Sequence, residues 1–460
     1  MNERGRQMAP ARNAGDNGFR IRLQAKGTNV RTEVVAGATT FMTMSYIIFV
    51  QPAILSICGM DAGAVLVATC LSSAFATFLM GVLGNYPIAL APAMGHNFFF
   101  VFTVCQVMGY TWQQALAANF ISGAAFIFLS AFRFRARLMG AIPQSIKSAI
   151  AVGIGLLIAM VGLEWSGLVV AQEGTLVGLG SLHSPPVLLA IFGIIAISVA
   201  MAVRVRGAIL IGILLTALLG WATGLIKFHG IVGPPPSIAP TFLKLNFAGL
   251  FARGGVSNIF AIIFVFFFLD LFDTIGTLVG ISERAGFMVD GKLPRAGRAL
   301  FSDAAGTVVG TMLGTSTVTS YVESAAGVSA GGRTGLANMM TAALFLLALF
   351  LYPLTKMVGG SVEFDGLQLY PVIAPPLIVV GSLMMGSVKS IDWQDYTESL
   401  PAFLTIIMMP LTFSITDGIA FGFIAYTVLK LTSGRWRELN AFVLIFALLF
   451  IIRYLFGFGA

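Results

Sequence analysis

Apolar residues run along this chain in blocks of about twenty, separated by short polar gaps. Only a segment whose backbone polar groups are satisfied internally can cross hydrocarbon, so each block predicts a spanning helix. Full-length blocks fall near 34–57, 63–83, 112–132, 145–161, 187–203 and 207–226. A second series follows near 256–280, 299–314, 335–357, 371–387, 400–416 and 417–432. Two more, near 88–108 and 315–331, are shorter and interrupted, which brings the count to fourteen spans. A last apolar stretch at 441–457 carries Arg453 and reads as an interfacial helix rather than a fifteenth span.

The interrupted blocks differ from the rest in local chemistry. Pro92 in Leu90-Ala-Pro-Ala-Met-Gly-His-Asn97 removes a backbone donor and biases Ala91 toward extended geometry. Ser316-Thr-Val-Thr-Ser-Tyr-Val-Glu323 is rich in residues that favour extended chain. Each predicts a short strand leading into a half-helix, whose first N–H groups are free and carry partial positive charge. Asn97 and Glu323 fall at corresponding places, about 226 residues apart. Pro143 and Gly153 are matched by Pro371 and Gly381 at an offset of about 228. Seven spans per half is an odd number, so the halves insert with opposite orientation. Inverted repeats with broken helices place a transport site between the repeats.

Asp270 and Asp273 lie inside the apolar block 256–280. At i and i+3 they share one helix face. That face cannot point at lipid, because a mid-membrane acid costs about 2.5–3.5 kcal/mol on insertion scales. It predicts a polar cavity where a ligand binds or a proton moves. Thr274, Gly276 and Thr277 keep the surface around Asp273 small and polar, which favours Asp273 as the substrate-side or proton-coupled acid and leaves Asp270 to organise the site. Asp303, at the start of its block, reads as a helix cap or a tie within the bundle. His96 reads as a packed or solvated histidine, because neighbours on a helix point in different directions.

Composition and charge agree. The 460 residues are 57% hydrophobic and only 10% charged, where soluble domains carry about 25%. The net charge of +8 points to no nucleic acid, because the basic residues sit in alternate short loops. Those loops hold Arg133, Arg135 and Arg137; Arg204 and Arg206; Arg284, Lys292, Arg295 and Arg298; Arg333; and Lys389. Lys430, Arg435 and Arg437 follow the fourteenth span. The opposite loops near 162–185 and 358–370 hold Glu164, Glu173, Glu363 and Asp365 and no Lys or Arg. The bias predicts both termini inside, with the long loop at 227–255 as an exception. Residues 1–32 lack the apolar core of a signal peptide and read as a disordered basic cytoplasmic tail. Cys58, Cys70 and Cys105 read as packing residues without a disulfide. There is no Walker lysine motif, no His-Glu-x-x-His and no Cys-x-x-Cys, so no cofactor or metal is expected.

Four stretches resemble the AzgA-like purine permeases: Arg31-Thr-Glu-Val-Val-Ala-Gly-Ala-Thr-Thr-Phe-Met-Thr-Met-Ser-Tyr-Ile-Ile48, Ala89-Leu-Ala-Pro-Ala-Met-Gly-His-Asn97, Leu269-Asp-Leu-Phe-Asp-Thr-Ile-Gly-Thr277 and Thr315-Ser-Thr-Val-Thr-Ser-Tyr-Val-Glu-Ser-Ala-Ala-Gly-Val328. The likeness runs from about residue 20 to 455. These belong to the broader nucleobase–cation and nucleobase–ascorbate symporters. The resemblance implies an all-α polytopic fold of seven plus seven inverted spans, like the bacterial uracil transporter. It implies a core domain at 33–140 and 255–369, a gate domain at 141–254 and 370–434, and a C-terminal interfacial segment at 435–460. It further implies proton-coupled uptake of hypoxanthine, guanine or adenine across the plasma membrane. Substrate contacts fall on Asn97, Gly95, Asp270, Asp273 and Glu323, with Asp303 and Thr277 in support and Asp273 or Asp270 coupling the proton. His96 departs from the pattern, standing where the family usually has an apolar residue such as Leu. The expected partners are a purine nucleobase, protons and the lipid bilayer, with a homodimer left open.

Two other classes fit the sequence less well. An anion transporter of sulfate-permease architecture should keep acids away from its half-helix N-termini, whereas here three acids converge. An intramembrane enzyme needs a nucleophile–base pair or a metal cluster within the spans, and none is visible in the sequence.

Overall fold

The computed structural model describes residues 27–131, 143–253, 256–288 and 293–455. The basic tail before residue 27, Arg133, Arg135, Arg137 and Lys292 lie outside them.

The first half opens with α1 (Val30–Met44), α2 (Ile47–Ser56) and α3 (Ala62–Leu79), which continues as a wider π turn to Gly84. Asn29 caps α1 by accepting from Thr32 N–H, and Asp61 caps α3 by accepting from Ala64 N–H. Strand β1 (Leu90–Pro92) leads into the short helix α4 (Met94–Phe98), prolonged as a π-helix through Val107. Then come α5 (Trp112–Ala131), α6 (Gln144–Trp165), the hairpin β2 (Val169–Gln172) and β3 (Thr175–Leu179), α7 (Pro185–Ala202) and α8 (Ala208–Ala222).

The second half repeats the pattern after α9 (Phe247–Arg253). It has α10 (Val256–Arg284), α11 (Ala296–Leu313), strand β4 (Val318–Ser320), the half-helix α12 (Ser324–Ser329), α13 (Gly335–Ala348) and α14 (Tyr352–Val358). The hairpin β5 (Val362–Phe364) and β6 (Leu367–Leu369), α15 (Ala374–Met384), α16 (Tyr396–Thr412), α17 (Ile415–Thr432) and α18 (Ala441–Leu455) complete it. Every apolar block predicted as a span contains a helix or a strand–helix unit. Seven helical stretches among the described residues are long and apolar enough to cross a membrane singly. The chain is a multi-pass membrane protein with a seven-plus-seven inverted-repeat fold.

The two broken spans meet at the middle. β1 and β4 pair antiparallel, with Leu90 opposite Ser320 and Pro92 opposite Val318. Ala93 N–H donates to Thr317 O at 2.9 Å, and Tyr321 N–H donates to Ala89 O at 2.9 Å. A two-stranded ladder still leaves two outer edges, and inside a membrane no water can satisfy them. Thr77 on α3 closes one edge: its hydroxyl accepts from Leu90 N–H at 2.9 Å and donates to Leu90 O at 3.0 Å. Thr307 on α11 does the same for Val318, at 3.1 and 3.0 Å. One threonine in each half therefore replaces a missing strand.

The helices pack in two sets. The first joins α1, α3, α5, α10, α11, α12 and α13 around the strand pair; the second joins α6, α7, α8, α15, α16 and α17. Within the second, α6 and α15 cross at Gly155 and Gly381. A methyl added at Gly155 would lie 2.8 Å from Gly381 O, so only glycine permits that approach. Glu33 ties the first set together: its carboxylate accepts from the N–H groups of Arg333, Thr334 and Ala337, at 2.9, 3.3 and 3.2 Å. These are orphan donors at the start of α13.

The structure revises several expectations. The two strands lie 228 residues apart, the same offset as the Pro143–Pro371 pair, so Gly95 rather than Asn97 aligns with Glu323. Asp303 is interior to α11, because that helix begins at Ala296, and it cannot be a cap. Lys430 is not a loop residue. It is fully buried in the last turn of α17 and pairs with Glu398 at 2.8 Å and Glu438 at 2.7 Å. Helix α18 buries Val443, Phe446 and Phe450 and exposes Leu444, Ile445 and Leu448. Phe446 stacks on Phe264 of α10, with ring centroids 3.8 Å apart.

Candidate functional site

A cavity of about 690 Å³ opens between the two sets of helices. One face of α10 forms its floor: Asp273, Gly276, Thr277 and Gly280 follow one another at helical spacing. A methyl added at Gly276 or Gly280 would meet no atom within 4 Å, so the glycines hold this wall back from the space. Gly95 and His96 of α4 add to the lining, with Gly95 set against Ile154 of α6, and Lys147 of α6 and Met384 of α15 complete that side. Phe268 and Phe272 add aromatic surface. The mouth lies near Gln144, Glu283 and Ser390, at the ends of α6, α10 and the turn after α15.

The three aspartates occupy different depths. Asp273 is exposed to the cavity, and its Oδ2 accepts from Thr319 of β4 at 3.3 Å. Asp270 and Asp303 are fully buried behind it. Asp303 accepts from Thr274 at 2.8 Å and from Ser320 at 3.2 Å, which ties α10, α11 and β4 together. The Asp270 carboxyl adjoins that of Asp303 and receives a long contact from the Thr307 hydroxyl, 3.4 Å. That hydroxyl has one proton, and its closer acceptor is Val318 O, at 3.0 Å. Asp270 Oδ1 has no partner among the described residues.

Glu323 takes the N-cap position of α12 and is half-buried. Its Oε1 accepts from the Tyr46 hydroxyl at 2.9 Å, and it lies within electrostatic reach of Asp273. Arg333, the ion-pair partner that proximity in sequence suggests, instead donates to Val328 O and Gly332 O, each at 2.8 Å. It closes the far end of α12.

Asn97 is not in the cavity wall. It is fully buried and engaged with Gln51 of α2 and Ser316. Gln51 also donates to Thr315 at 2.9 Å, so this polar knot joins both broken spans to α2. Sequence reasoning missed Gln51 and Tyr46. The available signal was a phenol at the junction of α1 and α2 and a lone amide within the apolar run 47–55.

A family model described as the permease family matches residues 31–421, a stretch that holds every residue of this site. The chain belongs to the permease family. It is 46% identical to the adenine permease AdeP of Escherichia coli over 437 residues, 95% of each protein. It is 44% identical to the guanine/hypoxanthine permease PbuG of Bacillus subtilis over 442 residues, 94% of this chain and 97% of that one. Among solved structures, the transmembrane domain of the cyanobacterial bicarbonate transporter BicA superimposes with a TM-score of 0.59 at 13% identity, covering 84% of this chain and 97% of that domain. At that identity the likeness is one of fold alone. The sequence relatives named here are permeases, and this permease is a transporter rather than an enzyme.

Proposed function

We propose that this permease carries a purine nucleobase (hypoxanthine, guanine or adenine) into the cell together with protons, by alternating access. The observation that carries this reading is the acid-floored cavity between α10 and the half-helix α4, in a chain 44–46% identical to purine permeases. A purine edge alternates N–H donors with carbonyl and ring-nitrogen acceptors, and carboxylates accept from N–H. Asp273 meets the ligand from the floor with Thr277 beside it, and Glu323, which does not line the cavity in this structure, holds N–H groups from the start of α12 once the ligand is seated. Gly95 of α4 lines the site, where a larger side chain would crowd Ile154. Phe272 supplies a flat apolar face. Asn97 acts through the Gln51–Ser316 knot, holding α4 in place rather than touching the ligand.

Asp270 and Asp303 supply the coupling. Two carboxyls side by side in a dry site share a proton rather than ionising together. The exposed Asp273 passes a proton between them and the cavity. The core at 33–140 and 255–369 carries the site, and the gate at 141–254 and 370–434 rocks against it. The mouth near Gln144, Glu283 and Ser390 borders the Arg- and Lys-bearing loops, which supports an inward-open state in the plasma membrane with both termini cytoplasmic. An anion substrate is disfavoured by the acids that line or back the cavity.

Cells expressing the permease should accumulate radiolabelled hypoxanthine, guanine or adenine, and a proton uncoupler should abolish accumulation. Accumulation that survives loss of both proton and sodium gradients would defeat the symport reading.

A further inference from the structure

Of the two polar neighbours on α4, the one that reaches the cavity is His96. Its side chain is 1% exposed and forms part of the cavity wall. Neither Nδ1 nor Nε2 has a hydrogen-bond partner among the described residues. A buried polar group left unpaired is costly, and natural interiors rarely tolerate one without a use. The groups around it do not explain it. Asn97 turns to Gln51 and Ser316, Asp273 turns to Thr319, and Gly95 and Ile154 are apolar. The Phe266 backbone carbonyl approaches the ring without completing a bond.

We propose that His96 is a specificity-determining residue that hydrogen-bonds the nucleobase directly, accepting an N–H of the ligand at one ring nitrogen. A neutral imidazole carries one donor and one acceptor. Both nitrogens are buried and neither is spent on a protein group among the described residues, so a small turn of the ring brings one to the ligand as acceptor. The ring then reads one N–H position that the carboxylates do not reach. An apolar residue at this place would leave that edge unread. The inference rests on the purine reading of the cavity.

The test is competition against uptake of the purine that the wild type accumulates, using that purine and its singly N-methylated derivatives. Ratios of half-inhibitory concentrations do not depend on how much protein reaches the membrane. In the wild type, methylation at the nitrogen read by His96 should weaken competition roughly tenfold or more. His96→Leu should weaken the parent purine by a similar factor and erase discrimination at that nitrogen alone, while His96→Gln, which keeps an acceptor, should retain most of it. A merely structural histidine would leave the ratios alone. If His96→Leu shows every ratio within about twofold of wild type, the proposal fails although the purine reading stands. If the wild type takes up no purine, both fail. Should His96→Leu abolish uptake, purine-dependent thermal stabilisation of the purified variant supplies the same ratios, and wild-type ratios there overturn the proposal equally.

Discussion

Asp273 and Asp270 sit one helical turn apart, yet only Asp273 sees the cavity. That difference assigns them different work. Asp273→Asn keeps a hydrogen-bonding amide at the floor but carries no exchangeable carboxyl proton. It should bind purine and exchange it across the membrane, yet lose proton-driven accumulation; wild-type accumulation would mean that Asp273 is not on the proton path and that Asp270, Asp303 or Glu323 couples without it. Glu323 is a ligand group in this account, steadied by the Tyr46 hydroxyl at 2.9 Å. Glu323→Gln replaces one acceptor oxygen by a donor and leaves ligand N–H groups facing it unpaired, at about 1–3 kcal/mol each. Equilibrium binding to the purified variant should weaken roughly tenfold or more, and unchanged affinity would remove Glu323 from the site.

At the level of elements, the strand pair and α10 carry the account. Thr307→Val is close to isosteric but strips both hydrogen bonds from Val318, and the same change at Thr77 strips Leu90. Each should cost about 1–3 kcal/mol per orphaned group, read as a lower melting temperature in detergent, while Thr311→Val serves as a control that leaves the strands untouched. Gly276 faces open space, so Gly276→Leu should preserve or raise stability through better helix propensity and yet cut uptake at least tenfold by filling the cavity; uptake at the wild-type level would place the ligand elsewhere. The strands, the half-helices and the acid-bearing face of α10 were legible in the sequence, because Pro92, the Thr/Ser-rich run 315–320 and the 270/273 spacing each have a local cause. The positions of Asn97 and His96 were not. Which of two neighbouring helical residues meets a cavity depends on the helix's rotation, and here that is fixed by Gln51, about 46 residues away in sequence. The partners of Asp303 and Glu33, and the Glu398 partner of Lys430, were hidden for the same reason: each is set by tertiary packing across tens to hundreds of residues.

For the whole molecule, the inverted halves supply two strands, two clamping threonines and two half-helices, but their chemistry has diverged. Glu323 stands where the first half has Gly95, and α10 and α11 bring acids to one side of the site only. In the proposed mechanism the set of helices around α6 and α15 moves against this centre, and the close glycine crossing at 155 and 381 holds α6 and α15 together. The central claim is that purine and proton cross together. The most direct measurement uses proteoliposomes with a trapped pH indicator, equal pH on both sides and the membrane potential clamped at zero. Adding purine outside should acidify the lumen with wild-type permease and leave it unchanged with Asp273→Asn. Purine entry into wild-type vesicles with no accompanying acidification would contradict the account.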